Sequence, residues 1–121
     1  MIVFIPHRFP GRNEQEKAAR GHKMAAAQMK KKYTDLAWVY FVGKPKAIKK
    51  QDFVFTWFEP DMRRDPDNIH GGIKFILDGM KNAGFIENDG QKQVGIITHI
   101  VESNCELDKV GVLVSCKDSK Y

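Results

Sequence analysis

Three aspartates combine residue type and spacing in a way that points to chemistry. Asp65 and Asp67 flank a proline in the run Arg63-Arg64-Asp65-Pro66-Asp67-Asn68, and Asp89 follows in Glu87-Asn88-Asp89-Gly90. Seven of the 15 acidic residues fall between Glu59 and Asp89, in a chain of formal net charge +5. Crowded carboxylates repel and raise one another's pKa. A hard divalent cation relieves that repulsion, and Mg²⁺ takes oxygen ligands. Pro66 fixes its own backbone torsion, so the carboxylates on either side can converge on one point without a mobile loop. The expected site is Asp65, Asp67 and Asp89 holding Mg²⁺, directly or through water, with Mn²⁺ able to substitute. Such an ion polarises a phosphoryl oxygen and generates hydroxide from water. On a basic protein, the natural target is a phosphodiester backbone.

Neighbouring residues take supporting roles. Lys74 lies on the far side of a helix from its apolar stripe. Helical side chains lean toward the N-terminus, so Lys74 is expected to reach back toward the carboxylates and steady a phosphate as a catalytic cation. The competing reading pairs it with Asp78 at i+4. Asn68 either contacts phosphate or caps a helix. Glu59 and Asp61 are weaker ligand candidates and read better as exposed charges ending a strand. His70 is close enough to the acids for a role. Other metal chemistry fails on spacing: an EF-hand begun at Asp65 places Ile69 and Ile76 at ligand positions, and His7, His22, His70 and His99 show no paired zinc spacing. No Gly-rich Walker loop is present, so no nucleotide cofactor is expected.

The elements that must position these groups follow from pattern. Met1 to Pro6 reads as a short strand, and Pro10-Gly11 as a loop. Asn13 is a plausible helix cap, and strong helix formers run from there to about Lys32, with Gly21 a weak point. Ala37 to Val42 is β-branched and aromatic and reads as a strand, paired with a second strand over Asp52 to Phe58. Asp67 or Asn68 then caps a helix whose apolar stripe is Ile69, Ile73, Ile76, Leu77 and Met80. Gly71 and Gly72 weaken its first turn, and Asn82-Ala83-Gly84 stops it. Val94 to Val101 and Val110 to Cys116 read as strands joined by a polar hairpin loop. Phe53, Phe55, Trp57 and Phe58 are expected in the core. The result is one two-layer α+β domain over residues 1–121, a mixed sheet with helices packed on it.

Composition sets the class. With 121 residues, 42% hydrophobic content and a mean hydropathy of −0.45, the chain can bury one core. Its apolar runs are too short to span a membrane, and its start lacks a secretory pattern, so a cytoplasmic location is expected. Cys105 and Cys116 have neither zinc nor redox spacing and read as small hydrophobes. Residues 1–50 hold 12 Lys and Arg against 3 Asp and Glu, whereas residues 51–121 hold 8 against 12. A basic half joined to an acidic motif suits a protein that holds phosphates on one surface and metal on another. Arg63, Arg64, Asn13, Asn68, Lys23, Lys30, Lys31 and Lys32 are the expected contacts to a nucleic-acid phosphate backbone.

The segment Arg63 to Gln91 resembles the RusA family of Holliday-junction resolvases. The shared pattern is Asp65, Asp67 and Asn68, then Lys74, Asp78-Gly79-Met80, Ala83-Gly84 and Asp89. The opening Phe9-Pro10-Gly11-Arg12-Asn13 before a basic helix is also similar. The resemblance implies a Mg²⁺-dependent homodimeric endonuclease that places paired nicks in four-way DNA junctions. It carries the family's aspartates onto Asp65, Asp67 and Asp89 and its lysine onto Lys74. Better-known members place the lysine about one turn nearer the aspartates. Two alternatives are a nuclease acting more broadly on flaps and branches, and a non-catalytic DNA-binding module whose acids only cap a helix.

Overall fold

Alternation along residues 51–58 sets the centre of the molecule. A computed structural model describes residues 1–121. Its strands are β1 (Ile2–Ile5), β2 (Gln51–Phe58), β3 (Val94–Glu102) and β4 (Gly111–Asp118). Its helices are α1 (Arg12–Arg20), α2 (Lys23–Phe41), α3 (Pro66–His70) and α4 (Ile73–Asn82), with a short 3₁₀ turn at Leu107–Lys109. In β2 every second residue, Gln51, Phe53, Phe55 and Trp57, is buried beneath the helices, as the period of a strand requires. The sheet order is β1-β4-β2-β3. β4 lies antiparallel to β1 and β2, and β2 lies parallel to β3. The parallel pair needs a crossover, and α3 with α4 supplies it. The molecule is a single small α+β domain with a mixed sheet, as expected. No helix is long and apolar enough to cross a membrane.

Several element expectations are corrected. Residues 37–42 are not a strand; they continue α2, with Thr34, Ala37 and Phe41 buried at helical spacing. There is accordingly no pairing of that segment with β2. The first basic helix is two helices, broken at Gly21 and His22, where the His22 side chain caps α2 by accepting from the Met24 amide. Gly11, not Asn13, is the N-cap of α1. β3 and β4 form no hairpin, because β2 lies between them. Residue 65 caps α3 in place of Asp67 or Asn68, with Pro66 as the first helical residue.

The apolar stripe is as expected. Ile69, Ile76 and Met80 are fully buried, Ile73 and Leu77 pack at its edge, and the helix breaks at Gly71 and Gly72. Phe53, Phe55 and Trp57 stack in the core, whereas Phe58 turns to the opposite face, against Phe4. Both cysteines are free and half-buried, and burial raises the Cys116 thiol pKa.

Candidate active site

The loop after β2 is held by a buried carboxylate. Glu59 is 3% exposed. Arg64 donates to it through Nε (3.0 Å) and Nη2 (2.8 Å), and Arg8 through Nη2 (2.8 Å). Burial alone would raise the Glu59 pKa; the hydrogen bonds from Arg64 and Arg8 outweigh it and hold the carboxyl below its usual range. The same bond to Glu59 raises the Arg8 pKa. Arg64 also donates to the Phe9 carbonyl at 3.0 Å and stands 3.5 Å from Glu14. Glu59 is therefore not an exposed charge ending a strand, and Arg64 is not a phosphate contact. Both are spent on tying the N-terminal loop to the acidic loop. Asp61 is likewise engaged, accepting from the Arg63 amide at 2.9 Å.

Asn68 is corrected for a similar reason. It is 6% exposed, and its Oδ1 accepts the Asn13 amide at 2.8 Å. A side chain at residue 11 would collide with it, so the glycine there is what lets α1 start against α3. Asn68 therefore links these two helices, and its burial does not suit the surface contact expected of it. The Asn13 side chain remains exposed.

Asp65 and Asp67 are left free. Both are exposed. Asp65 occupies the capping position of α3 yet makes no side-chain cap bond. Asp67 lies in the first turn, near enough to His70 for its charge to oppose the loss of basicity that burial imposes there. After α4, the chain returns so that Asp89 Oδ2 stands 3.9 Å from Lys74 Nζ. Lys74 also stands 3.4 Å from Asp78 Oδ1, whose side chain is 9% exposed. Lys74 thus leans toward Asp78 and Asp89, not back toward Asp65 and Asp67. No three His, Cys, Asp or Glu side chains are gathered closely enough to hold a metal ion, so Asp65, Asp67 and Asp89 do not form a closed cage.

An open donor set still fits Mg²⁺, which keeps several waters and is commonly bound through one or two carboxylates. Asp65 and Asp67 are exposed oxygen donors of that kind. Zinc would want a closed tetrahedral set of nitrogen and sulfur ligands, which the site lacks.

An imidazole stack, which sequence spacing does not reveal, joins α3 to β3. His70 of α3 lies on His99 of β3 with ring centroids 4.0 Å apart and planes 12° off parallel. Trp57 Nε1 donates to His99 Nδ1 at 2.9 Å. Burial, with the neighbouring His70, pushes the His99 pKa down to about 4. The two histidines are 29 positions apart, and only the parallel pairing of β2 with β3 brings them together.

The basic residues divide. Arg63 is exposed, 3.8 Å from Asp61. Lys23 is exposed on α2. Lys31 pairs with Asp35 at 2.9 Å, and Lys32 stands over the Tyr33 ring. Lys30 faces Lys74 across a cleft between α2 and α4. A scan against models of known protein families finds no match, and a search of curated proteins finds none.

Proposed function

We propose that this protein is a Mg²⁺-dependent endonuclease of RusA type that nicks four-way DNA junctions, acting as a homodimer. The observation that carries the reading is Asp89. It lies 15 residues beyond Lys74 in the chain and stands beside it in space. Helix capping does not account for Asp65, which makes no such bond.

In this reading Asp65 and Asp67 would hold the ion, and Asp89 acts by positioning Lys74. When bound, Mg²⁺ polarises a phosphoryl oxygen and lowers the pKa of its water. Lys74 offers a fixed ammonium to the negative charge that develops on the phosphate, while Asp78 and Asp89 hold that ammonium in place. The Glu59 ion pairs keep the loop that carries Asp65 in one position, as a site of this kind requires. Arg63 and the exposed lysines of α2 supply phosphate contacts.

A synthetic four-way junction, incubated with and without Mg²⁺, tests the reading. Symmetric nicks are expected only with metal. Asp67→Asn is expected to lower the rate by at least about a hundredfold while leaving the melting temperature unchanged. Competition with flap and fork substrates separates a junction enzyme from a broader nuclease. Absence of nicks with both Mg²⁺ and Mn²⁺, while the junction is bound, leaves a binding module and defeats the proposal.

A further inference from the structure

Thr34 poses a problem that its neighbours answer. The residue is 5% exposed, and its hydroxyl is buried with no hydrogen-bond partner. In a helix, a threonine hydroxyl ordinarily bonds a carbonyl one turn back, and a buried polar group without a partner costs stability. Thr34 lines a cavity of about 220 Å³ between α2 and α4, and every other residue around it is polar: Lys30, Lys74, Asp78, Lys81 and Asn82. Asp78 is already paired with Lys74. Neither Lys30 nor Lys81 makes an ion pair. The cavity therefore holds unneutralised positive charge beside an idle hydroxyl donor. A cation is repelled there, and an apolar group gains nothing. An anion with several acceptor oxygens bridges both ammonium groups, and it takes the hydroxyl as well once Thr34 turns to the other χ1 rotamer that threonine adopts in helices.

We propose that this cleft is a phosphate seat, in which Thr34, Lys30 and Lys81 hold a backbone phosphate of the DNA strand adjoining the one at Lys74. Only the identity of the ligand as DNA rests on the nuclease reading. A second cavity shares Lys30 and Lys74 and continues to Gln15 of α1, so the strand has a path onward along the basic helices.

The test uses the full chain in EDTA, so cleavage plays no part. Affinity for a fluorescent four-way junction is measured over a range of salt concentrations for the wild type, for Lys30→Gln combined with Lys81→Gln, and for Thr34→Val. The lysine variant is expected to flatten the slope of log K against log salt by about one to two units. Thr34→Val is expected to bind about five- to tenfold more weakly while melting at or above the wild-type temperature. An unchanged slope, or wild-type affinity in Thr34→Val, overturns the seat even if the junction is bound and cut. If no DNA is bound, the nuclease reading fails by itself and a titration with inorganic phosphate decides. Saturable shifts of the Thr34 and Lys81 amide resonances, lost in Thr34→Val, keep the seat; their absence overturns it.

Discussion

A carboxylate removed from water is costly unless charge and hydrogen bonds replace the water, and Glu59 obtains both from Arg8 and Arg64. Removing it leaves Arg64, itself only 10% exposed, as a buried charge with no adequate partner. Glu59→Ala is therefore expected to cost about 3–5 kcal/mol, read as a loss of melting temperature, with the proposed nicking lost in parallel because the loop carrying Asp65 is released. His99 gives a second residue-scale expectation. Its folded pKa is about 4, below an unfolded value near 6.5. A depressed histidine contributes stability that is complete above the unfolded pKa and lost as pH falls from about 6.5 toward 4. Protonation also removes the acceptor for Trp57 Nε1. His70 is shifted in the same direction and adds to the slope. The Glu59 pKa is lowered too, but its stability is lost only below about 4.5, the range of a free carboxyl, so the windows separate. Discounted for partial exposure, the His99 share is on the order of 2 kcal/mol. Denaturant midpoints at pH 7, 5.5 and 4.5 should decline in the wild type and decline less in His99→Gln. At this scale the sequence was legible for the position of Asp65 and Asp67, exposed at the entry of α3 beside Pro66. It was not legible for Arg64, Glu59 and Asn68, because a charged or amide residue in a motif looks the same whether it faces solvent or pairs across the fold.

The helices depend on how closely α2 and α4 approach. A Cβ at residue 79 would stand 2.7 Å from the Ala37 Cβ and 2.9 Å from the Trp38 amide nitrogen, and backbone cannot yield as a flexible side chain does. Gly79→Ala should then push α4 from α2 and cost about 1–3 kcal/mol. Because Lys74 and Asp78 ride on α4, and Thr34 on α2, junction affinity should fall with stability in that variant. An equal melting temperature would show that the contact is not tight. The same helix pair explains why the chain up to Phe41 is helix and not strand. Ala37 to Val42 has every mark of a strand in composition, yet nothing breaks the chain between Lys32 and Phe41, and Gly43 is the first stop. Burial of Thr34, Ala37 and Phe41, at intervals of three and four, is the helical signal that the high apolar content hid. The missing hairpin has a different cause. The link from β3 to β4 crosses the end of β2, where Cys105 donates its amide to the Glu59 carbonyl and Glu59 donates its own to Glu102. Two strand spacings of about 4.8 Å each are well within the reach of so short a link. Local sequence records the loop but not the strand it passes over.

Whole-molecule architecture leaves one face of the sheet uncovered. The helices cover Phe53, Phe55, Trp57, Val112 and Val114. On the other face Ile2, Phe4, Ile96 and Ile100 remain exposed, beside the Phe4–Phe58 pair. A sheet face of this kind is stable when another layer covers it, and a second copy of the chain is the partner we favour. Strands of four, eight, nine and eight residues, at about 3.3 Å per residue and about 4.8 Å apart, give a flat footprint of roughly 460 Å² per copy. Two such faces cover roughly 900 Å² as flat sheets, and side-chain relief brings the contact to the ~1,000 Å² of a specific interface. A two-fold arrangement would also bring two copies of the proposed site to a four-way junction, which itself has two-fold symmetry, as the proposed paired nicking requires. Sedimentation should therefore give twice the 13.9 kDa chain mass at micromolar concentration. Ile96→Arg combined with Ile100→Arg should give the single-chain mass with the far-ultraviolet dichroism unchanged, since both side chains point away from the core. That monomer should still cut where the proposed chemistry holds, but its two nicks should lose their coordination: the singly nicked junction accumulates before the second cut. A wild-type chain that sediments as a monomer, or a variant that remains dimeric, would assign the open face to another occupant.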